Sequence, residues 1–126
     1  MMELYIGGYA QGKTEYVKRL YNTSKLSEMY EDAEKEEVFI WNHFHMTVKK
    51  MLAEGKNRED IMELVQQAEK NCTKLVIISD EIGNGIVPME KEDRFWREET
   101  GRILCRIAEQ ADKVERIICG IPQRIK

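Results

Sequence analysis

A mostly parallel α/β sheet with helices on both faces is the fold class this sequence predicts, and three observations predict it. Short apolar runs recur along the chain and alternate with stretches of helical periodicity, the pattern of strand, helix and strand units. The first apolar run passes directly into a glycine-rich segment that opens the first helical stretch. No internal repeat or low-complexity segment interrupts the alternation. Right-handed crossovers then gather the carboxyl ends of the strands, and any ligand their loops hold, at one edge of the sheet.

Leu4-Tyr5-Ile6 is the first strand. Gly7 to Thr14 then reads G-G-Y-A-Q-G-K-T, a complete G-x-x-x-x-G-K-[ST] phosphate loop, which makes the expected fold P-loop NTPase-like. Such a loop holds a phosphate chain by turning successive backbone N–H groups inward, and Gly7, Gly8 and Gly12 leave room for that approach. Lys13 has the reach for β- and γ-phosphates, Thr14 offers a hydroxyl to Mg²⁺, and the helix start adds its positive dipole end. Gly7, Gly8, Tyr9, Ala10, Gln11, Gly12, Lys13 and Thr14 are therefore the expected nucleotide-binding residues, with GTP or ATP and Mg²⁺ as the expected ligands. Thr14 to Asn22 is the first helix, with Tyr16, Val17, Leu20 and Tyr21 at helical spacing.

Thr23 to Glu37 is polar and strongly acidic and is expected to be a solvated helix or mobile connection. Val38-Phe39-Ile40-Trp41 is the second strand, followed by Asn42-His43-Phe44-His45 and a short helix through Leu52. A turn at Gly55 to Asn57 leads into a helix whose Ile61, Leu64, Val65 and Ala68 share one face. Leu75 to Ile78 is the third strand, and Ser79 to Pro88 reads as a loop carrying two adjacent carboxylates, two glycines and a proline. Arg94 to Ala111 suits the longest helix, with Ile103, Leu104, Ile107, Ala108 and Ala111 on one stripe. Val114 to Cys119 is the last apolar run and ends at Gly120.

An apolar run ending near Asp80 and Glu81 has the form of a Walker-B-type strand, whose terminal carboxylate binds Mg²⁺ directly or through water. Alternate residues of a strand point opposite ways, so one carboxylate can face the metal while the other orders the glycine-rich loop or takes a proton from a hydroxyl. Asp80 with Thr14 is the expected metal pair, and Lys13, Asp80 and Glu81 are the expected catalytic residues. Asn42, at the ligand-facing end of the second strand, is a further expected nucleotide contact. Solvated loop acids are the plain alternative for the two carboxylates. His43 and His45 form an H-x-H pair with no third ligand in sight, so packing or ordinary polar roles are expected. Trp41 and Trp96 are expected in the core or at an interface, and Cys72, Cys105 and Cys119 as buried small thiols.

The chain of 126 residues, 42% of them hydrophobic, is the size of one domain, residues 1–126. A net charge of -3 with scattered basic residues argues against nucleic acid as a partner. No apolar stretch approaches the roughly 20 residues of a membrane span and no leader pattern opens the chain, so the expected location is cytoplasmic.

Asp80-Glu81-Ile82-Gly83-Asn84-Gly85-Ile86-Val87-Pro88 resembles the N-E-V-G-x-G-I-V-P signature of the bifunctional adenosylcobinamide kinase / adenosylcobinamide-phosphate guanylyltransferase family. Arg94-Phe95-Trp96-Arg97 resembles its R-x-F-R-D segment, Gly101-Arg102 its following G-R, and Gly120-Ile121-Pro122 with Lys126 its G-[IL]-x-x-x-x-K ending. Gly7 to Thr14 is similar to its phosphate loop. The resemblance implies an oligomeric cytoplasmic enzyme of cobalamin assembly that phosphorylates adenosylcobinamide from a nucleoside triphosphate and then attaches GMP. Family members carry the histidine that becomes guanylylated between the first helix and the next recognisable strand, and Thr23 to Glu37 has none. Asn42 stands where the family ends its middle strand with an acid. The expectation is thus a shortened member that retains the kinase step without guanylyl transfer. The alternative is a catalytically reduced nucleotide-binding or regulatory subunit.

Overall fold

The computed structural model describes residues 1–30, 36–82 and 90–126. Its elements run β1 (Met2–Gly7), α1 (Lys13–Tyr21), β2 (Glu36–Trp41), α2 (Phe44–Ala53), α3 (Arg58–Lys70), β3 (Cys72–Asp80), α4 (Lys91–Gln110), β4 (Lys113–Ile118) and β5 (Ile121–Arg124). The five strands form one sheet in the order β2-β3-β1-β4-β5. The first four strands pair in parallel, while β5 returns antiparallel beside β4. The expected α/β sheet is therefore present, P-loop NTPase-like in arrangement, with helices on both faces.

Central strands covered on two sides cannot alternate polar and apolar residues, and β3 accordingly buries Leu75 through Ser79 without a break. On one face Met2, Leu4, Trp41, Leu75 and Ile77 pack with residues of α2, α3 and α4, including Phe44, Ile61, Val65, Ile103 and Ile107. On the other face Tyr5, Ile40, Val76, Ile78 and Ile117 meet Val17 of α1. That thinner face is completed by polar groups. Glu3 accepts hydrogen bonds from the hydroxyls of Tyr5 (2.6 Å) and Tyr21, with the Lys74 ammonium at 3.3 Å. Burial pushes the Glu3 pKa up, but the hydrogen bonds from Tyr21 and Tyr5 and the charge of Lys74 outweigh it and hold the carboxyl below its ordinary range.

Local signals end the helices where the sequence permits. Asn57 caps α3 through a reciprocal box with Asp60, each side chain accepting from the other's backbone N–H at 2.9 Å. Asn22, at φ 50°, closes α1 in the left-handed region.

The structure departs from expectation at four places. Ser79 and Asp80 belong to β3 and not to the following loop, because the pairing of β3 with β1 runs on to Gly7 opposite Asp80. Beyond the apolar run that ends in Cys119 a fifth, unexpected strand follows a turn at Cys119-Gly120, whose φ values of 52° and 75° suit a tight hairpin. Of the two alternatives for the acidic connection the helix fails over its described part, residues 23–30, where Ser27 forms a parallel bridge with Trp41. The cysteines are not buried: Cys105 and Cys119 are exposed and Cys72 is half-buried. Cys105 lies off the Ile103–Ile107 stripe of α4, and Cys119 lies in the hairpin turn. Gly83 to Pro88, the core of the resemblance, lies outside the described residues.

Candidate active site

Register brings the chemistry together. Gly7 ends β1 opposite Asp80, and the Glu81 N–H donates to the Gly7 carbonyl at 2.8 Å, so the phosphate loop begins against the end of β3. A Cβ at Gly7 would lie 2.5 Å from the Ile117 carbonyl oxygen, so the close packing of β1 on β4 demands glycine there. Gly12, at φ 87°, turns the chain into α1.

Lys13 is 7% exposed. Its ammonium lies 2.6 Å from Asp80 Oδ1 and donates to the Gly8 carbonyl at 2.8 Å. Asp80 is held from its other side by His45, 35 residues earlier in the chain. The Asp80 backbone N–H donates to His45 Nδ1 at 3.0 Å, and His45 Nε2 lies 3.3 Å from Asp80 Oδ2. With Nδ1 accepting, the imidazole proton belongs on Nε2, where it donates to the carboxylate. Burial lowers the His45 pKa, the Asp80 charge opposes that shift, and His43 and Lys13 reinforce it, so the ring favours its neutral form. Trp96 Nε1–H donates to the His45 carbonyl at 2.8 Å, which ties α4 to this corner.

Thr14 donates its hydroxyl to Asn42 Oδ1 at 3.2 Å, and Asn42 is buried. Tyr9 through Thr14, His43, His45, Asp80 and Trp96 line one cleft of about 710 Å³ at the carboxyl edge of the sheet. Glu81 faces elsewhere. Its carboxylate meets Arg116 Nε of β4 at 3.0 Å, in a second cavity of about 500 Å³ that also borders Gly8, Tyr9, Gln11 and Asp80. His43 is exposed and its Nδ1 lies 2.9 Å from Glu28.

The expected residues thus separate into two groups. Lys13, Thr14 and Asp80 line one cleft with Tyr9 to Gly12, and Asn42 is buried beside Thr14 as its hydrogen-bond acceptor, while Glu81 is turned toward Arg116. For a divalent cation, the Thr14 hydroxyl and the Asp80 carboxylate on the cleft wall are hard oxygen donors, and such a pair fits Mg²⁺ completed by phosphate oxygens and water. His45, expected in packing or an ordinary polar role, and Trp96, expected in the core or at an interface, both belong to the site instead. The helical spacing of the buried residues Phe44, His45 and Val48 carries part of the signal, but not the identity of the partner.

A phosphate loop between the first strand and first helix of a parallel sheet, its lysine held by a carboxylate on the adjacent strand, defines a P-loop α/β domain. Over residues 15–125 the chain matches the family described as cobinamide kinase / cobinamide phosphate guanyltransferase, and it belongs to that family. A stretch of 68 residues is 34% identical to the bifunctional adenosylcobalamin biosynthesis protein CobU of Salmonella typhimurium (strain LT2), covering 54% of this chain and 38% of that protein. The protein of the same name from Escherichia coli (strain K12) is 31% identical over 67 residues, 53% of this chain and 37% of the relative. The matched stretches span well under half the length of these relatives.

Proposed function

We propose that this chain binds GTP or ATP with Mg²⁺ in the larger cleft and transfers the γ-phosphoryl group to a hydroxyl of adenosylcobinamide. The observation that carries this reading is the Lys13 ammonium lying 2.6 Å from Asp80 at the mouth of the phosphate loop. It puts a cation able to reach transferred phosphate beside a carboxylate able to reach a proton. The acceptor hydroxyl oxygen bonds to the γ-phosphorus, the bond from phosphorus to the β,γ-bridging oxygen breaks, and the hydroxyl proton passes to a carboxylate of the Asp80–Glu81 pair. Lys13 stabilises the negative charge that spreads over the transferred group. Thr14, with Asn42 behind it, and Asp80 would hold Mg²⁺, which when bound neutralises phosphate charge. Hydrogen bonding to Lys13 and His45 supports Asp80 as the carboxylate nearest the reaction, while Glu81 stands beside it in a pair with Arg116.

Asn42 supports a second reading, a nucleotide-binding or regulatory subunit, since the neutral amide that accepts from Thr14 supplies neither the charge that holds Mg²⁺ nor a proton acceptor. Mg²⁺, adenosylcobinamide and GTP labelled separately at the α- and γ-phosphates separate the two. The γ-label alone on the corrinoid is the expected result. The α-label on protein or corrinoid would show guanylyl transfer, contrary to the reading drawn from residues 23–37. Nucleotide binding with neither label moving would establish the binding subunit. Assembly with further copies of the chain belongs to the same reading and is read by light scattering; Ile118, Ile121 and Ile125 offer exposed apolar surface at the C-terminal hairpin.

A further inference from the structure

The β4–β5 hairpin does more than close the sheet. Its two turn residues both point backbone N–H groups at one residue of the phosphate loop. The Gly120 N–H donates to the Gln11 carbonyl at 2.7 Å, and the Cys119 N–H donates to Gln11 Oε1 at 2.8 Å. A turn with positive φ at both central residues, 52° and 75°, is what aims the two N–H groups the same way. The fit is close, because a Cβ built on Gly12 would lie 3.2 Å from Gly120 Cα.

We infer that the Cys119-Gly120 turn is a part of the phosphate site and that Gln11 is its positioning residue; this rests on the proposed nucleotide reading. In a trans peptide the carbonyl of one residue and the N–H of the next point in opposite directions. Holding the Gln11 carbonyl against the hairpin therefore directs the Gly12 N–H away from it, the orientation a loop needs to present an N–H to an anion. The Gln11 side chain supplies the second point of attachment, so the peptide cannot rotate about a single hydrogen bond. The hairpin is itself anchored at its far end. The Ile125 and Lys126 N–H groups both donate to the Val114 carbonyl, at 2.9 and 3.1 Å. The Lys126 ammonium donates to the last-turn carbonyls of α4 at Ala108 and Glu109, at 3.0 and 2.8 Å. The chain's last strand thereby sets the shape of its first loop.

Gln11→Met keeps the length of the side chain and removes the acceptor. Affinity for GTP or ATP is expected to fall about tenfold, the effect of one hydrogen bond, while the melting temperature without nucleotide stays that of the parent. Hydrogen exchange at the Cys119 amide is expected to quicken in Gln11→Met and to stay slow in Gln11→Glu, which keeps an acceptor oxygen. Parent-like affinity in Gln11→Met, or unchanged exchange at Cys119, would overturn the brace alone. A parent protein that binds neither GTP nor ATP would instead overturn the nucleotide reading, and with it the ligand this brace serves.

Discussion

The two sides of the phosphate loop are built from adjacent carboxylates in different surroundings. On one side Asp80 ends β3 among buried partners, with Lys13 and His45 each 7% exposed. On the other, Glu81 meets an Arg116 that is 39% exposed. Neighbouring positions at a strand end diverge, so one residue's step in sequence moves a carboxylate from one cavity to the other. The same functional group takes two settings from its surroundings: both oxygens of the Asp80 carboxylate are held by buried side chains, whereas a pair with a half-exposed arginine is a weak and adaptable tie.

Asp80→Asn tests that contrast most severely. Phosphoryl transfer is expected to fall by about a hundredfold or more, the size typical of losing a positioned proton acceptor, and a parent-like rate in a folded variant would end the assignment. Lys13→Ala follows: removing a charge-assisted contact to phosphate is expected to weaken nucleotide binding by roughly ten- to a hundredfold, measured by calorimetry, and unchanged affinity would refute the nucleotide reading. Glu81→Gln should cost less than either. Loss of a half-exposed pair with Arg116 is expected to change stability by under about 1 kcal/mol and the transfer rate by less than Asp80→Asn does; the reverse ranking of rates would exchange the roles of the two carboxylates.

The smallest effect comes from outside both cavities. Glu3 is held below its ordinary value of 4.5, so the unfolded chain takes up its proton at higher pH than the folded one. Its contribution to stability is complete above that value and is lost as pH falls through the lower folded value. Glu3→Gln is expected to make the acid limb of a stability–pH profile shallower while leaving nucleotide affinity unchanged, as urea unfolding between pH 3 and pH 7 would record. A profile as steep as the parent's would remove Glu3 from the acid response.

Much of this site was legible because its requirements are local. An N–H cradle needs glycines and a lysine at set spacings, and Gly7 to Thr14 supplies them within eight residues. The buried stripe of α3 and the unbroken apolar run of β3 were legible for the same reason, since periodicity reports which faces a segment must hide. The fifth strand was not. Ile121-Pro122-Gln123-Arg124 is exposed throughout and contains proline, which an edge strand tolerates but which no strand pattern announces. Nor could spacing reveal that His45 would reach Asp80, or that Cys119 and Gly120 would hold Gln11, because those contacts join residues 35 and about a hundred positions apart.

The amino-acid sequence by itself determined the phosphate loop, the alternation of strands and helices, and the likeness to the cobinamide kinase family, because each is written in neighbouring residues. Only the tertiary structure decided which of two adjacent acids faces Lys13, that a histidine clamps that acid, and that the C-terminal hairpin grips the loop. Those outcomes depend on strand order and register, and register is set by the burial of whole faces against one another, a property of the assembled sheet that no single segment carries.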